Sequence, residues 1–162
     1  MSDAPRTLLL TGASRGIGHA TVKLFQEHGW RVLTVSRQPF SEACPWAGGR
    51  MGHIQADLAD LSAIPALTAA VRERLPDGKL HALVNNAGIS PKGPGGSRLG
   101  VLESDADTWT RVLNVNLVST ALLARDLLPE LEAAQGAIVN VTSIAGSRVH
   151  PFAGVAYAAS KA

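Results

Sequence analysis

The stretch Gly12-Ala13-Ser14-Arg15-Gly16-Ile17-Gly18 directly follows an apolar run from Thr7 to Thr11 and opens a helical pattern. This placement narrows the possible folds more than any other feature. The backbone must leave a strand, turn where side chains would obstruct it, and enter a helix. Ile17, Ala20, Thr21, Leu24 and Phe25 then recur at helical spacing, and Gly29 is a helix stop. The same alternation continues down the chain. Apolar runs predict strands over 7–11, 31–36, 53–56, 80–84 and 137–141. Between them, Leu61, Ile64, Leu67, Val71 and Leu75 share one helical face, broken by Pro76-Asp77-Gly78. Residues 90–100 carry Pro91, Gly93, Pro94, Gly95 and Gly96 and read as a loop. A long helix over 107–134 follows, with Trp109, Val112, Leu113, Asn116, Leu117, Thr120, Leu123, Leu127 and Leu131 along one side.

Strands that are nearly continuous in apolar residues belong to a parallel sheet covered on both faces. The composition agrees, with 46% apolar residues and only 17% charged, against a usual charged share of about 25%. We therefore expect one α/β domain over 7–162, a Rossmann-type doubly wound parallel sheet of about five strands, after a short N-terminal extension at 1–6. A glycine turn in the first strand-to-helix connection of such a sheet suits a pyrophosphate, because the backbone can approach it and the helix start offers unpaired N–H groups. Two other glycine motifs fit less well. A phosphate-binding loop of nucleotide hydrolases needs Lys and Ser/Thr after its last glycine, and Ile17-Gly18 stand there instead. Gly12-Ala13-Ser14-Arg15-Gly16 also matches the nucleophile elbow of serine hydrolases, with His53, His81 or His150 as the later base. An elbow on the first strand, however, leaves no earlier loop to build an oxyanion hole.

Fifteen basic and thirteen acidic residues leave a net charge of +2 with no basic stripe, so nucleic acid is not an expected partner. The single cysteine, Cys44, rules out an internal disulfide and a cysteine-based zinc site. No uncharged apolar run reaches the roughly 18 residues of a membrane span, and the first residues lack a signal-peptide pattern. A cytoplasmic protein without membrane contact is the expectation.

Taken together, the motifs resemble those of the short-chain dehydrogenase/reductase family. Thr11 to Gly18 is similar to its cofactor turn and Asn85-Asn86-Ala87-Gly88 to the motif after its fourth strand. Asn116 resembles its helix asparagine, Ser143 its catalytic serine, and Tyr157-Ala158-Ala159-Ser160-Lys161 its Tyr-x-x-x-Lys pair. The resemblance implies an oxidoreductase that moves a hydride between a nicotinamide cofactor and a small alcohol or carbonyl substrate. In it, Tyr157 is the general acid/base. Lys161 holds the nicotinamide ribose and tunes Tyr157, as an ammonium beside a phenol favours the phenolate. Ser143 orients the substrate oxygen, and Asn116 supports a water that relays protons to Lys161. Gly12, Ser14, Arg15, Gly16, Ile17, Gly18, Asn86, Ala87 and Gly88 line the cofactor, with Asp57 and Leu58 at its adenine. Tyr157 and Lys161 sit four residues apart, on one face of a helix.

Cofactor choice turns on the end of the second strand, where NAD-binding turns of this kind carry an acid for the ribose hydroxyls. Here Ser36-Arg37 occupy that place and no acid appears before Glu42. With Arg15 in the glycine turn, Arg37 points to a 2′-phosphate and so to NADP(H), with NAD(H) the lesser choice. The chain ends one residue after Lys161, earlier than the family's pattern, so an incomplete domain is expected. Its fifth strand would be an uncovered apolar edge, inviting self-association. The long helix is the family's usual dimer surface, which makes a homo-oligomer the expected state. A non-catalytic nucleotide-binding remnant is the alternative to the enzyme.

Overall fold

The computed structural model describes residues 5–41 and 49–162. Glu42, Cys44 and residues 1–4 of the N-terminal extension lie outside the described residues. Five parallel strands form one sheet: β1 (Thr7–Thr11), β2 (Arg31–Ser36), β3 (His53–Gln55), β4 (Ala82–Asn85) and β5 (Ala137–Asn140), in the order β3-β2-β1-β4-β5. The helices are α1 (Gly16–Glu27), α2 (Ile64–Arg72), α3 (Ala106–Leu113), α4 (Ser119–Asp126) and α5 (Leu128–Ala134) between strands, and α6 (Val155–Ser160) after β5. This is the doubly wound α/β architecture that the sequence predicts.

Both faces of the sheet are packed because successive side chains on a strand point to opposite sides. On β1, Leu9 joins one core with Leu33, Val35 and Leu83, while Leu8 and Leu10 join the other with Val22, Val32 and Val84. The first core is closed by α2 and α4 through Leu67, Val71 and Leu123; the second by α1 and Trp30. Burying each of these leucines contributes about 1.5–3 kcal/mol, so β1 and its neighbours are a stiff platform.

The chain winds from β1 through β2 to β3 on one side, then returns to place β4 on β1's other side. The strand order reverses between β1 and β4, and a doubly wound sheet leaves a crevice at the carboxyl ends of strands at such a point. The residues after β1 (Gly12 onward) and after β4 (Asn86-Ala87-Gly88) flank it.

Three expectations need correction. The buried face of α1 is Gly18 and Val22, with Phe25 partly covered, whereas Ile17 and Leu24 are exposed. The long helix is interrupted. A π-helical segment, 114–118, separates α3 from α4, and the chain kinks again at Leu127 before Pro129 in the first turn of α5. Proline lacks the N–H that would continue the helix. The extra residue of the π turn rotates the stripe, so Val115, Asn116 and Ser119 are buried and Leu117 is half exposed. The strand expected to start at 80 pairs with β1 only from Ala82; Leu80 N–H is drawn to Glu130 O at 3.0 Å. Strand β5 has every residue exposed, as the sequence suggested for that edge. No helix among the described residues is long and apolar enough to cross a membrane.

Candidate active site

At two of its glycines, Gly12 and Gly18, the turn is held by contacts that admit no side chain. Gly12 has a φ of +73°, and a Cβ on it would lie 2.8 Å from Ala87 Cα. A Cβ on Gly18 would strike the carbonyl oxygen of Gly12. The cofactor reading placed Gly18 on the cleft; the structure sets it behind the turn, where it brings α1 hard against Gly12. The φ of Gly16 is +56°, with open space before it. Helix α1 begins there with no side-chain cap and no acid in its first turn. Its unpaired N–H groups and the positive end of its dipole are therefore free for an anion.

This turn forms one wall of a cleft of about 400 Å³. Gly12, Ser14, Arg15, Gly16, Ile17, Arg37, Asp57, Leu58, Asn86, Ala87 and Gly88 all line it, so the structure gathers every sequence-predicted cofactor residue except Gly18. Asn86 acts through its backbone contacts: its Nδ2 donates to the carbonyls of Thr11 and Gly12, both at 3.0 Å. Thr11 Oγ1 accepts from the N–H groups of Asn86 and Ala87 at 3.1 and 3.0 Å. These bonds tie the end of β4 to the glycine turn. Arg111 also lines the cleft, with Nη2 4.0 Å from Asp57 Oδ2. Nothing in the sequence announced Arg111, because only the packing of α3 over the Asp57 loop brings it there. A turn that excludes a Cβ at Gly12 and Gly18, an uncapped helix start and Arg15 and Arg37 at the walls fit a dinucleotide.

A second pocket, of about 240 Å³, is lined by Ser143 and Tyr157 together with Ser90, Lys92, His150 and Phe152. Ser143 Oγ accepts from Ala145 N–H at 3.2 Å, which leaves its own proton free to donate. Lys161 Nζ donates to Val141 O at 2.7 Å. Burial holds the Lys161 ammonium below its ordinary pKa of 10.5. Gly88 lies beside both Lys161 and Asn116: a Cβ on it would be 3.7 Å from Asn116 Oδ1 and 3.8 Å from Lys161 Nζ. Asn116 is fully engaged. Its Oδ1 accepts from Ile89 N–H at 2.8 Å, and its Nδ2 donates to Ile89 O at 3.0 Å and to Ser160 Oγ at 2.9 Å. With both amide hydrogens used, its side chain clamps the loop after β4 to α6.

The histidines of the hydrolase alternative are committed elsewhere. His53 makes bonds through both ring nitrogens, to Thr34 Oγ1 at 3.0 Å and Gln38 O at 2.9 Å. His81 Nδ1 accepts from Thr7 N–H at 3.1 Å, at the opposite end of β1 from Ser14. His150 opens on the second pocket, which Ser14 does not line.

A doubly wound parallel sheet with a glycine turn at its switch point, beside a pocket that a serine and a tyrosine share, defines the Rossmann-type α/β class. The chain belongs to the short chain dehydrogenase family, whose pattern residues 6–162 match. Protein FixR of Bradyrhizobium diazoefficiens is 60% identical over 159 residues, which are 98% of this chain and 57% of that one. An oxidoreductase of the family from Brucella ovis, solved in complex with a partially ordered NAD, is 60% identical with a TM-score of 0.94, covering 98% of this chain and 72% of its own. A metagenomic short-chain oxidoreductase solved in complex with NADP is 32% identical with a TM-score of 0.80, covering 96% of this chain and 69% of its own. The chain spans a little over half the length of the curated relatives it matches, 57% and 55% for the first two.

Proposed function

We propose that the chain carries the cofactor half and the acid/base pair of an NADP(H)-dependent alcohol/carbonyl oxidoreductase. The observation that carries this reading is the shared pocket of Ser143 and Tyr157, with Lys161 and Asn116 both against Gly88 on the wall of the glycine-turn cleft. The bound nicotinamide would supply or accept the hydride. Gly12, Gly16 and the start of α1 would receive its pyrophosphate, with Asp57 and Leu58 at the adenine.

On the protein side, Tyr157 Oη gives its proton to the carbonyl oxygen as that becomes an alcohol, and takes it back in the reverse direction. Ser143 donates a hydrogen bond to the same oxygen, one of its two lone pairs accepting from Ala145 N–H. Lys161 spends one of its three N–H bonds on Val141 O, which leaves two for the ribose and for proton exchange with Tyr157. Asn116 is a positioning residue in this scheme, since its hydrogens hold Ile89 and Ser160. Preference for the 2′-phosphate rests on Arg15 and Arg37, both exposed on the cleft. Its one acidic lining residue, Asp57, faces Arg111.

The test is oxidation of NADPH and of NADH with a panel of small ketones and aldehydes. Tyr157→Phe should lower turnover by about 10²–10⁴-fold with cofactor affinity retained. Arg37→Ala should weaken NADPH binding and leave NADH binding little changed. Tighter binding of NADH than NADPH by the parent chain would overturn the cofactor choice. Binding without turnover of any panel member would favour a binding-only role for the chain.

A further inference from the structure

The second pocket has a charge character that the reaction chemistry does not require. Its lining residues come from two loops, 90–98 and 143–153, and, through Tyr157, from α6. Between them they carry Lys92, Arg98, Arg148 and His150 and no aspartate or glutamate. Of these, Lys92 and His150 line the pocket itself, beside Ser143 and Tyr157, and none of the other lining residues is acidic.

Both basic groups are held in place. Lys92 is paired across a short antiparallel bridge with Arg98, and its ammonium donates to the carbonyl of Phe152. That bond uses one of three N–H groups and ties the 90–98 loop to the far wall, so the remaining two can meet a ligand. His150 Nδ1 accepts from Phe152 N–H at 3.3 Å. The proton of the neutral ring must then sit on Nε2, which makes His150 a donor at any charge state. Ser90 adds a hydroxyl. A pocket offering an ammonium, an imidazole N–H and a hydroxyl, with no carboxylate to repel an anion, suits a carboxylate best.

We propose that the substrate is a carboxylate-bearing alcohol or carbonyl compound, with Lys92 as the counter-ion of its carboxylate and His150 as a second donor. The proposal rests on the oxidoreductase reading for the place of the reacting oxygen, at Ser143 and Tyr157. Lys92 and His150 here set specificity; they do not touch the hydride or the transferred proton.

The test compares 4-oxopentanoate with its methyl ester as substrates for NADPH oxidation by the full chain. The acid should show a kcat/KM higher by about tenfold, the range of one hydrogen bond to a charged group. Lys92→Met should bring the acid-to-ester ratio towards one, and Lys92→Arg, which keeps the charge, should preserve it. An ester used as well as the acid, or a ratio indifferent to Lys92→Met, overturns the proposal. A second arm does not depend on turnover: saturation-transfer NMR of benzoate against benzamide, with NADPH present. Benzoate should bind in preference and be lost on Lys92→Met. Equal binding of benzamide, or no binding of benzoate, overturns the proposal. A chain that binds benzoate through Lys92 yet reduces neither ketone supports the anion site and overturns the oxidoreductase reading instead.

Discussion

Lys161 and Asn116 concentrate the site's energetics in two side chains. Burial disfavours the charged form of Lys161 and holds its pKa below 10.5. The linkage follows from the sign of that shift. A depressed value in the folded chain means a stabilising contribution present above 10.5 and lost as pH falls through the folded value, so at neutral pH the buried ammonium works against folding. The proposed chemistry uses the charged form, and it is surrendered over a range that begins below 10.5. Carbon-13 NMR of the reductively methylated chain should show one lysine titrating before the others, and Lys161→Arg should remove that resonance; a lysine set titrating together would contradict this. Asn116→Ala would leave the half-buried N–H and C=O of Ile89 without their side-chain partners, at a cost of about 1 kcal/mol. Urea unfolding should show the lower midpoint with an unchanged slope. A midpoint equal to the parent's would mean that water replaces the clamp. Gly12→Ala should be more damaging to the site than to the fold's cores. The φ of +73° is strained for alanine, and its Cβ would push Ala87 out of the cleft wall. NADPH affinity should fall below detection while the far-ultraviolet dichroism stays close to the parent's.

At the scale of elements, the start of α3 is set by a titrating cap, Asp105. Hydrogen bonds from Thr108, its side chain and then its N–H, hold Asp105 below 3.8, and the N–H bond measures 2.8 Å. The cap's extra stability is present above 3.8 and lost as pH falls through the folded value. Asp105→Asn keeps a cap without the charge. Its stability deficit against the parent should shrink to nothing on acidification, and a deficit that persists at low pH would refute the charged-cap account. How far the elements were legible follows from what fixes each of them. β1 and β2 match the residues read from the sequence, because a strand buried on both faces is a local apolar run bounded by a turn. The face of α1 was misread since two apolar stripes compete there. Gly18 decides between them by close contact with Gly12, a choice that hydropathy does not register. The π turn at 114–118 was invisible for the same reason: Asn116 is pulled inward by Ile89 and Ser160, partners 27 and 44 residues away. The cofactor residues were legible because a dinucleotide site is built from backbone geometry, and glycine writes backbone geometry into sequence. Arg111 and Lys92 were not, since their positions depend on how α3 and the 90–98 loop pack.

At the largest scale, across the described residues of this 162-residue chain, the two edges of the sheet differ. β3 at one edge is three residues long, with Ile54 buried. β5 at the other pairs with β4 from Ala137 to Asn140, and its remaining edge and both faces are open. Ile138 and Val139 are 42% and 48% exposed, on a strand that carries no charge, proline or bulge to discourage pairing. Uncharged apolar edges of this kind recruit further strands, and the chain's net charge of +2 provides little repulsion against it. The 162-residue chain should therefore associate with itself through β5. Light scattering coupled to size exclusion should give a mass that rises with concentration. Val139→Lys places a charge on the open edge without touching the cofactor cleft. It should return the chain to a monomer that still binds NADPH, if β5 is the seam. A parent chain that stays monomeric across the concentration series would refute the idea. An oligomer that survives both Val139→Lys and Ile138→Lys would move the interface to the helical face built by α3 and α4.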